Sequence, residues 1–417
     1  MRKKWLFRIG LILVGGVILA GIIYQIPAVN ERLSWRLETT RVLIARFFDP
    51  VEAAPTPIPT RVLSTPTVMA SPTQPATPTQ TPSPTPGPTA TPTPTSTPLP
   101  GAALLPPPVW AKQTANNCGP ATLALYLQMF DWEGTQHDIA ELIKPLSGDK
   151  NVNVEELVYF VRNRAGWLNV DFRVGGDLET LKHFLASGIP VMIEEGYFGQ
   201  EVYWPNDDGW LGHYLLLTGY DDATQMFTVQ DTYLGADRQL PYDQLDKGWK
   251  TFNRVFIFSY LPFQEDKVKE ILGEHWDADY NRQHALEAAQ AETEADPADA
   301  FAWFNVGSNL VYFERYAEAA QAYDTARQIG LPQRMYRYQF GPFFAYFHAN
   351  RIDELMAVTE YALQITDNSE EALLWRGWGY FRQGDTDTAL ARFRAALAAN
   401  PFYSDAQYAI DFVNGGG

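Results

Sequence analysis

The stretch KQTANNCGPATLAL, Lys112 to Leu125, decides how this chain is read. It holds the single cysteine of the sequence, Cys118. Polar, turn-prone residues lead up to it, Gly119 and Pro120 follow, and the run from Ala121 onward consists of helix formers. Proline suits the first turn of a helix, where its missing N–H costs no hydrogen bond. The stretch therefore predicts a helix that starts at or beside Cys118. A helix start presents unpaired backbone N–H groups and the positive end of the dipole, and both favour thiolate over thiol. A structural cysteine more often sits mid-helix or mid-strand among apolar neighbours. Position alone leaves nucleophile and packing residue as alternatives. One cysteine makes no intrachain disulfide and, by itself, no zinc cluster.

A thiolate nucleophile needs a base. Of the six histidines, His213 stands out because it opens GHYLLLTGYDDATQMFTVQDTY, Gly212 to Tyr233. Two strand-like runs flank the turn-prone DDATQ, which predicts a β-hairpin. With the turn centred near Asp222, His213 faces Asp231. Directly opposed residues share a face with Cβ atoms about 4.5–5.5 Å apart. A carboxylate there holds the imidazole in one tautomer while the other ring nitrogen addresses a thiol. A slip of one residue breaks the pairing. The bland alternative is a strand-start histidine and a turn-forming aspartate.

Three blocks occur in order: NNCGPATLAL, LKHFLASGIPVMIEE and the hairpin just quoted. Together they resemble the papain-like cysteine peptidases related to the bacteriocin leader-processing (double-glycine) peptidases, over about residues 108–262. The resemblance implies an α+β papain-like domain in which Cys118 is the nucleophile, His213 the general base and Asp231 the residue that orients the histidine. It also implies an oxyanion-hole glutamine upstream of the cysteine, for which Gln113 is the candidate. Gln113 lies five residues before Cys118, about one fewer than is usual in that family, so Asn116 and Asn117 stand as alternatives. The double-glycine leader substrate is not implied, because the chain has one apolar span and no G-x-x-x-x-G-K-[ST] loop. GYFGQEVYWPNDDGW, Gly196 to Trp210, is an aromatic and acidic loop that either rims a substrate groove or is an insertion.

The formal charge of the 417 residues is −17. The first fifty carry eight basic and three acidic residues, so the acidic excess lies entirely beyond them. A surface that acidic repels phosphate backbones and argues against nucleic-acid binding. Within residues 1–30 four basic residues precede an uncharged apolar run, Ile9 to Val29, long enough to span a bilayer. The basic flank places the N-terminus in the cytoplasm and the remainder outside. A cleaved signal peptide is the alternative. Residues 31–53 predict a juxtamembrane helix. Residues 54–103 form a Pro/Thr-rich linker that buries no core, and its tract from Ala54 to Leu99 extends to ~140 Å at about 3.1 Å per residue.

The tail, residues 280–413, repeats itself. Gly307 and Gly377, Ala319 and Ala389, Tyr323 and Phe393, and Ala326 and Ala396 all lie 70 residues apart. Two periods of about 35 resemble tetratricopeptide repeats. A middle copy falls at about 334–368, which makes about three. Such arrays present a concave surface to a peptide or protein partner, or else serve as a brace.

The expected architecture is therefore a membrane anchor, a disordered stalk, an α+β papain-like domain over 104–265 and an all-α repeat domain. The expected function is an extracytoplasmic cysteine peptidase using Cys118, His213 and Asp231, with peptide or protein substrates and no metal or organic cofactor. An amidase or other acyl-transfer enzyme on the same fold, or a catalytically silent peptide-binding protein, are the alternatives.

Overall fold

The computed structural model describes residues 14–16, 19, 21, 23–24, 26–48, 50–58, 98–146, 149–204 and 207–415. Most of the expected anchor and nearly all of the Pro/Thr-rich linker lie outside the described residues. Among the described residues no helix is long and apolar enough to cross a membrane. The first described helix, α1, covers Pro27–Phe48.

An α+β domain follows. Its chain order is β1 (Ala102–Leu104), α2 (Cys118–Gln128), α3 (Gln136–Ile143), α4 (Val154–Arg164), β2 (Asn169–Arg173) and α5 (Leu178–Ala186). Then come β3 (Val191–Phe198), β4 (Trp210–Asp221), β5 (Met226–Asp231), β6 (Gly235–Pro241), α6 (Tyr242–Lys250), β7 (Phe256–Tyr260) and α7 (Glu265–Leu272). The strands form one antiparallel sheet in the order β2-β7-β3-β4-β5-β6, and β1 pairs with the far end of β4.

The sheet is buried on both faces, and the strand period of two sorts its side chains. Val191, Ile193, Leu215, Leu217, Phe256 and Phe258 face a core with α5, α6 and α7. Met192, Tyr214, Leu216 and Ile257 face the other core, which contains α2 and α4. Helix α2 is buried along almost its whole length, from Gly119 to Leu127. That is why its sequence is apolar all round and shows no stripe. Helix starts carry the signals their sequences promise. Thr135 and Asp138 form a capping box on α3, and Asp177 accepts from the Thr180 amide at the start of α5.

The tail is helical throughout: α8 (Ala278–Ala295), α9 (Ala300–Tyr312), α10 (Tyr316–Ile329), α11 (Gly341–His348), α12 (Ile352–Ile365), α13 (Glu370–Arg382), α14 (Thr386–Ala399) and α15 (Ser404–Gly415). The 70-residue recurrence is a packing rule. A Cβ on Gly307 would lie 2.6 Å from the Tyr323 ring, and one on Gly377 would lie 2.5 Å from the Phe393 ring. Each glycine lets an aromatic of the paired helix lie against backbone. The middle copy lacks that glycine and has a short first helix, yet Tyr346 and Ala362 are fully buried as the pattern requires.

The two domains share a core. Trp210 of β4 stacks on Phe252 at 5.6 Å and 10°, and meets Phe301 and Tyr338 of the tail. Asp207 and Arg334 form an ion pair at 2.5 Å with both side chains fully buried. The segment after α1 also docks on the repeats. Val51 is buried, the Glu52 amide donates to Gln364, and Arg327 donates to the Pro55 carbonyl at 2.7 Å.

Candidate active site

Cys118 is the first residue of α2, as the Gly-Pro signal predicts. The loop before it is gathered by one side chain, Gln136. Its oxygen accepts from the Thr114 amide and Asn117 Nδ2, and its nitrogen donates to the Lys112 carbonyl. Asn117 is therefore spent inside the loop and makes no cap on α2. Asn116 adopts a left-handed φ of 57°, which turns the chain into the helix.

His213 and Asp231 meet, with Nε2 3.0 Å from Oδ1, by a different register from the expected one. The turn is centred one and a half residues later, so Asp221 pairs with Met226 and Tyr220 with Phe227. Carried on unchanged, that register would put His213 and Asp231 on opposite faces. A bulge between Leu217 and Gly219 restores the parity: Leu216 pairs with Gln230. Asp231 then lies diagonally from His213 on the same face, within reach of a long side chain.

Asp231 is anchored on both oxygens. Oδ1 also accepts from the amides of Tyr233 and Leu234 at 2.8 and 2.9 Å, and Oδ2 accepts from Arg238 at 2.5 Å. Burial works against its charge, but His213 and those amides hold the carboxyl down to about 2. Burial also opposes a charged imidazole. The Asp231 carboxylate and the Cys118 sulfur prevail and hold His213 up to about 10. The thiol follows the same pattern. Desolvation raises it, while the hydrogen bond and charge of His213, the Lys144 ammonium and the Tyr214 amide bring it below its ordinary value. The shifts of the thiol and the imidazole both favour the charged thiolate–imidazolium form over the neutral pair.

Gln113 completes the arrangement. Its Oε1 accepts from the Thr232 hydroxyl at 2.8 Å, and its amide donates to the Thr232 carbonyl. With the oxygen occupied, the side-chain NH2 is the end left to donate into the cleft that Gln113 lines.

Sequence reading did not single out several neighbours. Lys144 donates to the carbonyls of Asn116 and Asp149 and is almost wholly buried. No local motif marks it. The Tyr197 ring stands edge-on to His213 at 5.8 Å. Glu194, paired in register with Tyr214, is buried beside the thiol. Its burial, then the nearby sulfur charge, raises its carboxyl well above the usual range. Its only signal was an acid ending the apolar run VMIEE.

Cys118, His213 and Gln113 open into a cleft of about 650 Å³. Gln200, Glu201 and Tyr203 of the aromatic, acidic loop rim it, which settles that loop as a wall. Thr39, Val42 and Ala45 of α1 lie along another side.

Residues 105–257 match the family model described as the Peptidase_C39 like family. No curated protein matches the chain. Among solved structures, a C39-like peptidase from Bacillus anthracis is 15% identical, with 38% of this chain and 97% of that one covered at a TM-score of 0.30. YrrB, a TPR protein with an unusual peptide-binding site, is 20% identical, with 36% of this chain and 74% of that one covered at 0.29. MamA is 15% identical, with 38% and 85% covered at 0.30. The match to the C39-like peptidase family model thus covers the α+β domain at residues 105–257, and the 70-residue helical recurrence follows it.

Proposed function

We propose that the chain is a cysteine peptidase in which Cys118, His213 and Asp231 act as a triad. The observation that carries this is the His213–Asp231 hydrogen bond of 3.0 Å, with Asp231 anchored on both oxygens, in a cleft that His213 shares with the helix-start thiol of Cys118. The Cys118 thiolate attacks the scissile carbonyl carbon. The carbonyl oxygen becomes an oxyanion, received by the Gln113 side-chain amide and the Cys118 backbone N–H. The intermediate collapses to a thioester as the His213 imidazolium gives its proton to the leaving amine. Water, deprotonated by His213, then releases the acid and restores the thiolate. Asp231 holds the ring and stabilises its charge without touching substrate.

Iodoacetamide tests the first requirement. At pH 6 an ordinary cysteine is only about 0.3% thiolate, whereas Cys118 should keep most of its neutral-pH reactivity. Peptide hydrolysis should vanish in Cys118→Ala. Ordinary high-pH labelling together with a fully active alanine variant would end this reading.

The basic flank and apolar run of residues 1–30 support a single-pass anchor with both globular domains on the extracytoplasmic side. Protease added to right-side-out membranes should then remove everything beyond about residue 100, while full protection would mean the inverse topology.

A further inference from the structure

The repeats pack with their loops towards the catalytic cleft, and this bears on substrate choice. Two corners of the array reach it: the loop holding Arg337 and Tyr338, and the end of α12 from Leu363 to Asp367. Arg337 ties them together by donating to the Ile365 carbonyl at 3.1 Å and to Thr366 Oγ1 at 3.2 Å. Three anchors hold this corner against the peptidase domain. Arg334 forms the fully buried pair with Asp207, and its guanidinium lies over the Tyr203 ring at 4.9 Å. Gln339 donates to the Thr251 carbonyl. The Tyr338 ring packs on Gly212, the residue before His213, so closely that a Cβ there would come within 3.0 Å of it. Moving the domains apart would have to break all three contacts together, so the two walls stay in fixed register.

The walls also agree in chemistry. On the peptidase side Phe198 is 65% exposed and Leu234 57% exposed, both lining the cleft beside Leu211. Across from them the repeats contribute the half-buried Leu363 and Tyr338. Open apolar surface on two facing walls, beside a nucleophile, marks a place for an apolar ligand group.

We propose that the repeat domain forms the selectivity wall of the active site, and that the substrate is an extended polypeptide with an aliphatic or aromatic side chain flanking the scissile bond, held between Leu363 and Phe198. This rests on the peptidase reading above and names its substrate class. The repeats thereby act within the catalytic cleft, at the sides of their helix-connecting loops.

The experiment uses the full chain and an equimolar library of synthetic decapeptides, with cleavage sites read by mass spectrometry. Wild type should cut within two residues of Leu, Ile, Val, Met, Phe or Tyr. Leu363→Asp should lower kcat/KM on those peptides about tenfold, mainly through KM, while Leu363→Met restores it. Phe198→Ser, at an exposed position that the fold does not need, should give the same selectivity loss from the opposite wall. Iodoacetamide labelling of Cys118 at pH 6 should be equal in all variants, because a reagent that small needs no wall. Cleavage without apolar enrichment, unchanged kinetics in both wall variants, or no peptide cleavage by a protein whose Cys118 labels normally each overturns the proposal. Absence of low-pH labelling in wild type overturns the peptidase reading and this proposal with it.

Discussion

Replacing Asp231 by asparagine removes one charge from the row and little else. The asparagine oxygen can still accept from His213 and from the amides of Tyr233 and Leu234. Its NH2 would then face Arg238, donor against donor, but Arg238 is a third exposed and can swing into solvent. The fold should survive, while the imidazolium loses its counter-charge. His213 rises from 6.5 to about 10 in the native site. At about 1.4 kcal/mol per pH unit that is ~5 kcal/mol, divided between Asp231 and Cys118. If the carboxylate supplies about half, its loss costs the charged pair about 1–3 kcal/mol, roughly ten- to a hundredfold in reactive thiolate. The assay is the rate of iodoacetamide labelling of Cys118 against pH, read by mass spectrometry, beside peptide hydrolysis. The acid limb of the labelling curve should move up towards the range of an ordinary cysteine. Hydrolysis at pH 7 should fall less than in Cys118→Ala. Added to His213→Ala, the substitution should cost little more, because residues acting as a unit are not additive. An unmoved acid limb, or losses that simply multiply, would refute the idea that Asp231 acts through the ring.

Gln113→Ala should lower kcat by about a hundredfold, the usual cost of one oxyanion donor, while leaving the labelling rate of Cys118 unchanged. Arg334→Met should destabilise the protein by ~3–5 kcal/mol because Asp207 is left buried and unpaired, and adding Asp207→Leu should recover most of that in thermal melts. Burial first, and then neighbouring carboxylates, raise Glu371 and Glu370 above their usual range. The folded state therefore holds protons that the unfolded chain releases above about pH 4.3, and stability falls as pH rises from there. Glu371→Gln should flatten that decline between pH 5 and 8, measured as the denaturation midpoint.

Where local chemistry dominates, the sequence alone determined the outcome. Pro120 in a first turn set the start of α2, and capping residues set α3 and α5. The glycine–aromatic pairs 70 residues apart set the helix hairpins, because each depends on residues close along the chain or on a repeated contact. The sequence also singled out Cys118, His213, Asp231 and Gln113, partly through resemblance, as residues to look for together, and the fold brings Cys118, His213 and Gln113 to one cleft with Asp231 bonded to His213. The meeting of His213 and Asp231 was not decided by the hairpin pattern. A single inserted residue near Thr218 changes which face each side chain occupies, and no composition signal announces a bulge. Lys144 acts on the thiol from another element, so its effect on that charge exists only after folding. The position of the repeats was likewise a tertiary decision. Periodicity says that helices stack on one another, but not which end of the stack meets another domain. Here the buried Arg334–Asp207 pair and the packing of Tyr338 on Gly212 decide it, through contacts between residues more than 120 positions apart.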